Sequence, residues 1–235
     1  MTHNSLCNLN NLTLKNLLIT GALGGLGNPL TDYFSSTGYQ VFGTTSPSKT
    51  AVNRNKTKYY PLNLTDENAA KELIDQLQSE KIKLKAAILT VGGFAMNNLS
   101  NAKMSDYEHM IKLNFFTAIN VIKPVHKWMC EVGGGDIFMI GSRTLFEGSS
   151  TEILPYTLSK SLLLQLTHSL NEASAEDKVF TSLIVPGTID TPINRQQMPG
   201  ADFTQWTQPL DIAHEIHQLM EQKDITLKKS VVKLY

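Results

Sequence analysis

The chain has 235 residues, 41% of them hydrophobic, with 21 lysines and arginines against 21 aspartates and glutamates. That length and apolar share allow one large domain with a substantial core, and the balanced charge creates no global field to draw in nucleic acid or an anionic membrane surface. Two isolated cysteines, Cys7 and Cys130, read as thiols of a reducing cytoplasm, and neither they nor His109, His126, His168, His214 and His217 show metal-ligand spacing.

In chain order, residues 1–12 form a polar arm with no secretory pattern, and no apolar stretch of about 18 residues follows anywhere. The expectation is a single domain over 1–235, soluble and cytoplasmic. The first strand, Asn16–Thr20, runs into Thr20-Gly21-Ala22-Leu23-Gly24-Gly25-Leu26-Gly27 and then helix-like sequence. Glycines there let the chain turn tightly and bring backbone N–H groups and a helix start against a pyrophosphate. Further apolar runs occur at Tyr39–Thr44, Tyr59–Leu64, Ala86–Val91, Asp136–Ser142, Phe180–Pro186 and Ser230–Tyr235. Most are apolar on both faces, as strands buried between helix layers of a parallel sheet are.

Helical spacing predicts Asp66–Lys81, with Ala70, Leu73, Ile74 and Leu77 inward and Thr65 or Asp66 as cap. It also predicts Ser105–Met129, opened by a Ser105/Glu108 capping box and kinked or broken at Pro124. In Tyr156–Ala173, leucines 158, 162, 166 and 170 make a stripe that packs on the sheet or on another subunit. This strand-helix alternation predicts an α/β fold: one Rossmann-type, doubly wound parallel sheet of about seven strands flanked by helices, with ligands bound beyond the carboxyl ends of the strands.

On that edge fall the glycine turn, Thr90-Val91-Gly92-Gly93, Ser142, Pro186-Gly187-Thr188 and Tyr156-Thr157-Leu158-Ser159-Lys160. Reducing a carbonyl takes a hydride at carbon and a proton at oxygen. Tyr156 is the proton donor in this reading, with Lys160 one helical turn on to favour its anion and to hold ribose hydroxyls. Ser142 donates a hydrogen bond where negative charge builds on the substrate oxygen.

These motifs resemble the short-chain dehydrogenase/reductase family from Leu17 to Tyr235: TGxxxGxG at Gly21, Gly25 and Gly27, YxxxK at Tyr156 and Lys160, the upstream Ser142, and the helix asparagine Asn114. The resemblance implies that Asn114 holds a water in a proton relay through Lys160. It also implies that the cofactor lies along Gly21, Leu23, Gly24, Gly25, Leu26 and Gly27, near Gly92 and Gly93, and that Pro186, Gly187, Thr188, Ile189 and Thr191 border its nicotinamide. In place of the family's aspartate after the third strand, Asn63-Leu64 still offers an acceptor to adenine. After the second strand no acid stands in Gly43-Thr44-Thr45-Ser46, and the hydroxyls of Thr44, Thr45 and Ser46 with Lys49 or Arg54 nearby favour NADPH over NADH.

Thr90-Val91-Gly92-Gly93-Phe94 and the segment from Asp190 to Trp206 are similar to quinonoid dihydropteridine reductases, members of that family, which lack the serine and asparagine retained here and carry the acid for NADH. The substrate side therefore reads as a pterin, a quinonoid ring or an ordinary ketone, with Phe94, Ser142, Arg195 and Trp206 as candidate contacts. A non-catalytic sensor or scaffold predicts a broken catalytic set, and this set is complete. Family members commonly pair the helices holding Asn114 and Tyr156, which implies a homodimer or homotetramer.

Overall fold

The computed structural model describes residues 15–54, 56–148, 150–173 and 176–235; the polar arm and Cys7 lie outside the described residues. Seven strands form one parallel sheet in the order β3-β2-β1-β4-β5-β6-β7: β1 (Asn16–Thr20), β2 (Gln40–Thr45), β3 (Thr57–Pro61), β4 (Leu84–Leu89), β5 (Gly135–Ile140), β6 (Val179–Pro186) and β7 (Val231–Leu234). Helices α1 (Gly27–Ser36), α2 (Glu67–Ser79), α3 (Met104–Ile111), α4 (Thr117–Val132), α5 (Leu154–Ala173), α6 (Pro192–Gln197) and α7 (Pro209–Glu221) make the connections. Strand order reverses at β1, between β2 and β4, so the crevice beyond the end of β1 is the topological switch point at which such sheets bind ligands.

Successive residues of one inner strand feed two cores, which is why the inner strands read as apolar on both faces. Leu18, Phe42, Ala87, Ile137, Met139, Leu183 and Val185 pack against α2, α4 and α5. Their neighbours Leu17, Ile19, Val41, Ile88, Phe138, Ile140 and Ile184 pack on the other face with α1 and α7.

Several boundaries differ from the sequence expectation. β3 ends at Pro61, because Asn63 Oδ1 accepts from Thr65 N and Oγ1 (3.1 and 2.9 Å) and folds residues 63–65 into an Asx turn. The cap of α2 is Asp66, which accepts from Asn68 N and Ala69 N. At α3 the expected Ser105/Glu108 box is not formed; the Asp106 carboxylate instead accepts from Lys103 N at 2.8 Å, one turn earlier. Pro124 lies inside α4 and does not end it: the missing N–H forfeits one ladder bond while the apolar stripe of Val121, Ile122, Val125 and Met129 holds the helix to the core. That helix stops where Gly133 adopts φ 94°.

The leucine stripe of α5 divides. Leu166 and Leu170 pack against the core, whereas Leu158 and Leu162 are 45% and 37% exposed and the buried position of that turn is Leu163. No helix among the described residues is long and apolar enough to cross a membrane.

Candidate active site

The turn after β1 is set by sterics. Gly21 has φ 65°, and a Cβ on Gly27 would stand 2.1 Å from the Gly21 carbonyl oxygen, so the chain can double back onto the start of α1 only with glycine at both positions. Gly24 N donates to Gly21 O at 2.7 Å. Gly25 is exposed and faces Thr191, while the Leu26 side chain sinks into the core, leaving only its backbone for the crevice.

The second-strand hydroxyls do not act together as expected. Thr44 is buried and its Oγ1 accepts from Gly21 N at 3.2 Å, so it braces the glycine turn and cannot face a phosphate. Thr45 Oγ1 is also buried and has no hydrogen-bond partner among the described residues. Ser46 is exposed and bonded to Ser48 Oγ at 2.9 Å, and Lys49 Nζ reaches back to the Leu23 carbonyl at 3.0 Å, over the glycine turn. Arg54 is held elsewhere, by Asp32 at 3.1 Å and by the Tyr59 hydroxyl. Asn63 is corrected too: its side-chain oxygen already accepts twice from Thr65, so it is not a free acceptor for an adenine amine, and Leu64 is buried with its carbonyl taken by Asn120.

At the ends of β4 and β5 the reactive groups converge. Asn114 lies in a π turn, Lys112–Phe116, inserted between α3 and α4, and is fully buried. Its Oδ1 accepts from Gly93 N at 2.9 Å, and its Nδ2 donates to Gly93 O at 3.1 Å and Ser159 Oγ at 2.9 Å. The side chain thus ties the β4 loop, and Gly92 with it, to the helix of the tyrosine. Lys160 Nζ donates to the Ile140 carbonyl at 2.9 Å and stands 5.9 Å from the centre of the Tyr156 ring. Phe94 meets that ring edge-on at 5.0 Å between centres.

Burial governs both titrating groups. Desolvation lowers Lys160 from 10.5 to about 8. It raises the Tyr156 phenol above 10, and only the hydrogen bond with Ser142 pulls it back. In the free chain burial thus outweighs any pull of Lys160 on the phenol, whose ring centre lies 5.9 Å from Lys160 Nζ.

After β6, Thr207 is a residue the sequence reading missed. Its Oγ1 accepts from Gly187 N at 3.0 Å and donates to Leu234 O at 2.8 Å, and its backbone bonds Thr188 O and Asp190 N. Pro186 closes β6, Asn194 Nδ2 holds the Ile189 carbonyl at 2.8 Å, and buried Thr191 caps α6. Arg195 and Trp206 are occupied inside this lid. The Arg195 guanidinium pairs with both Asp190 oxygens (2.6 and 2.7 Å), holding that carboxyl down to about 2 together with Gln208, and lies 4.6 Å from the centre of the Phe203 ring, against which Trp206 packs.

The site fits a dinucleotide. The crevice at the switch point carries a glycine cradle that any side chain would obstruct, and the unpaired Thr45 hydroxyl stands at the end of β2. Among the described residues no cluster of histidine, cysteine and carboxylates could hold a metal. A family model for short chain dehydrogenases matches residues 15–202. The chain belongs to the short chain dehydrogenases. As a member it is an NAD(P)-dependent oxidoreductase. This short chain dehydrogenase is 24% identical over 213 residues to a dihydropteridine reductase of Dictyostelium discoideum, covering 89% of each chain. It is 27% identical over 187 residues to the 3-oxoacyl-[acyl-carrier-protein] reductase FabG of Buchnera aphidicola, covering 77% of this chain and 76% of that one. Among solved structures, ElxO with NADP bound superimposes with a TM-score of 0.84 at 22% identity over 94% of this chain and 96% of its own. Ligand-free aldohexose dehydrogenase of Thermoplasma acidophilum gives 0.82 at 18%, over 94% and 92%.

Proposed function

We propose that this dehydrogenase reduces a small carbonyl compound with NADPH, Tyr156 delivering the proton. The observation that carries the reading is the convergence of Ser142, Tyr156 and the buried Lys160 at the strand ends beside the glycine turn. The bound cofactor supplies hydride to the carbonyl carbon. Ser142 donates to the carbonyl oxygen as it gains negative charge, and Tyr156 gives that oxygen its proton, so that the product is the alcohol. Lys160, near neutrality at about 8, is suited to return a proton to the phenolate. Both N–H bonds of the Asn114 amide are spent on Gly93 and Ser159, while its Oδ1 accepts once, from Gly93 N, and keeps a second lone pair for the relay water of this reading.

Preference for NADPH rests on the absence of an acid at residues 45–48 and on the exposed Ser46, Ser48 and Lys49 beside the turn. Titrating NADPH and NADH by nicotinamide fluorescence tests it: wild type binds NADPH more tightly, and Lys49→Ala weakens NADPH by about tenfold while sparing NADH. Equal affinities, or tighter NADH, would reject the preference.

A second reading, reduction of a quinonoid pterin, is favoured by the Dictyostelium relative and by Phe94, exposed over Tyr156 where a flat ring could lie. Turnover of such a pterin that survives Ser142→Ala selects it. A non-catalytic sensor is the outcome if Tyr156→Phe leaves the protein's cellular role intact. We place the enzyme in the cytoplasm as a homodimer or homotetramer, joined through the exposed face of α5 at Leu158 and Leu162.

A further inference from the structure

The hydroxyl of Ser142 is surrounded on its acceptor side. Ser142 has extended backbone (φ −156°, ψ 146°) and opens a 3-10 turn, Arg143–Leu145, pinned by Leu145 N to Ser142 O at 3.1 Å. Within that turn Thr144 Oγ1 lies 3.0 Å from Ser142 Oγ, and Thr144 N donates to the same oxygen at 3.4 Å. Behind Thr144, the Thr157 hydroxyl donates to Thr144 Oγ1 at 3.5 Å from α5, where Thr157 is buried next to Tyr156.

A hydroxyl carries one donor hydrogen and two acceptor lone pairs. With Thr157 donating to Thr144, the hydrogen of Thr144 is directed to Ser142, and with both Thr144 donors on its oxygen, Ser142 retains only its own O–H to offer. We infer that Thr144 is a positioning residue, backed by Thr157, that holds Ser142 as a donor toward the Tyr156 hydroxyl and the reacting oxygen. Hydroxyls aligned in this way polarise one another, so the last O–H of the row is a stronger donor than a lone serine. The downward pull that Ser142 exerts on the Tyr156 phenol has the sign expected of a serine donating to a developing phenolate. A turn that merely needed an N-cap would use the Ser142 oxygen and the Thr144 N–H, and would have no use for the Thr144 or Thr157 hydroxyl.

This inference rests on the proposed role of Tyr156 but has a readout that needs no substrate. Protein labelled with 13C at tyrosine Cζ is titrated from about pH 7 to about pH 11, Tyr156→Phe identifying the Tyr156 resonance. Thr144→Val is expected to leave a smaller phenolate fraction at every pH, and Thr144→Ser to restore the wild-type curve. In turnover, Thr144→Val lowers kcat by about tenfold and leaves the affinity for NADPH unchanged. A Thr144→Val curve superimposable on wild type overturns the inference. Should that variant not fold, Thr157→Val decides in its place, with a shift of the same sign expected and no shift overturning. If Tyr156 responds to Thr144 while wild type reduces no carbonyl, the proposed function fails and the positioning role stands.

Discussion

Replacing Lys160 with methionine should make the cofactor-free protein more stable. The ammonium is buried with a single hydrogen bond, to the Ile140 carbonyl, and no carboxylate pairs with it among the described residues. Folding lowers it from 10.5 to about 8, which at about 1.36 kcal/mol per unit is a penalty on the order of 3 kcal/mol wherever the lysine is charged in both states. Methionine fills similar space without charge, and leaves the Ile140 carbonyl short of a donor at a cost of about 1–2 kcal/mol. The net expectation at about pH 7 is a gain of about 1–2 kcal/mol, read from urea unfolding of wild type and variant. The pH dependence fixes the sign. Below about 8 both states of wild type bind the proton and the full penalty applies; between about 8 and 10.5 only the unfolded state binds it, so wild-type stability rises with pH relative to the variant; above 10.5 the penalty is gone. The advantage of Lys160→Met must therefore shrink over that window. A variant less stable than wild type at about pH 7, or an advantage flat from about pH 7 to 10.5, would falsify the account of Lys160 as a strained charge held for function.

Tyr156→Phe should lower turnover by about a hundredfold or more while NADPH still binds, since in the proposed reaction the phenol hydroxyl carries the proton and the ring keeps its contact with Phe94; single-turnover absorbance of the nicotinamide checks it. Gly27→Ala places a Cβ 2.1 Å from the Gly21 carbonyl oxygen and should abolish measurable cofactor binding by deforming the turn, with a loss of more than about 2 kcal/mol in urea unfolding. Leu162→Glu puts a carboxylate on the exposed face of α5 and should shift sedimentation toward a 26.1 kDa monomer without lowering the stability of the folded chain by more than about 0.5 kcal/mol.

The sheet was readable because its inner strands are buried on two sides, and β1 was located to the residue. Boundaries failed where a local side chain outbid the pattern, as Asn63 did after β3 and Asp106 did at the start of α3. That Tyr156, Lys160 and Ser142 come together was legible from the i, i+4 spacing of the first two and from the strand end that holds the third, and the glycine turn from a closeness of backbone that a Cβ forbids. The hydroxyls after the second strand were less so: alternation along β2 turns Thr44 inward to Gly21, and sequence does not say which of two adjacent hydroxyls is used for bracing. Thr144 and Thr207 carried no signal, since threonine is common in loops: Thr144 matters through the neighbouring Ser142 hydroxyl, and Thr207 through Gly187 and Leu234, 20 and 27 residues away. Arg195 and Trp206 look available in sequence; Asp190 and Phe203, their partners, are equally visible, but nothing in the order of residues says that the lid folds on itself. The buried pair of Asp136 and Lys228 at the opposite edge of the sheet likewise joins residues too distant to be matched by eye.

The π turn at Lys112–Phe116 divides one continuous rod into two halves that are out of phase. Each residue of an α-helix advances the face by about 100°, so the surplus residue sets the rotation of α4 relative to α3. Within the turn, that phase brings the Asn114 amide onto Gly93; downstream, it turns Val121, Val125 and Trp128 onto the sheet. Remove one residue here and the two demands conflict: either the amide leaves Gly93 or the apolar stripe rolls off the core. A single-codon deletion in this stretch is therefore barred twice over, once by the tie that holds the β4 loop and once by folding.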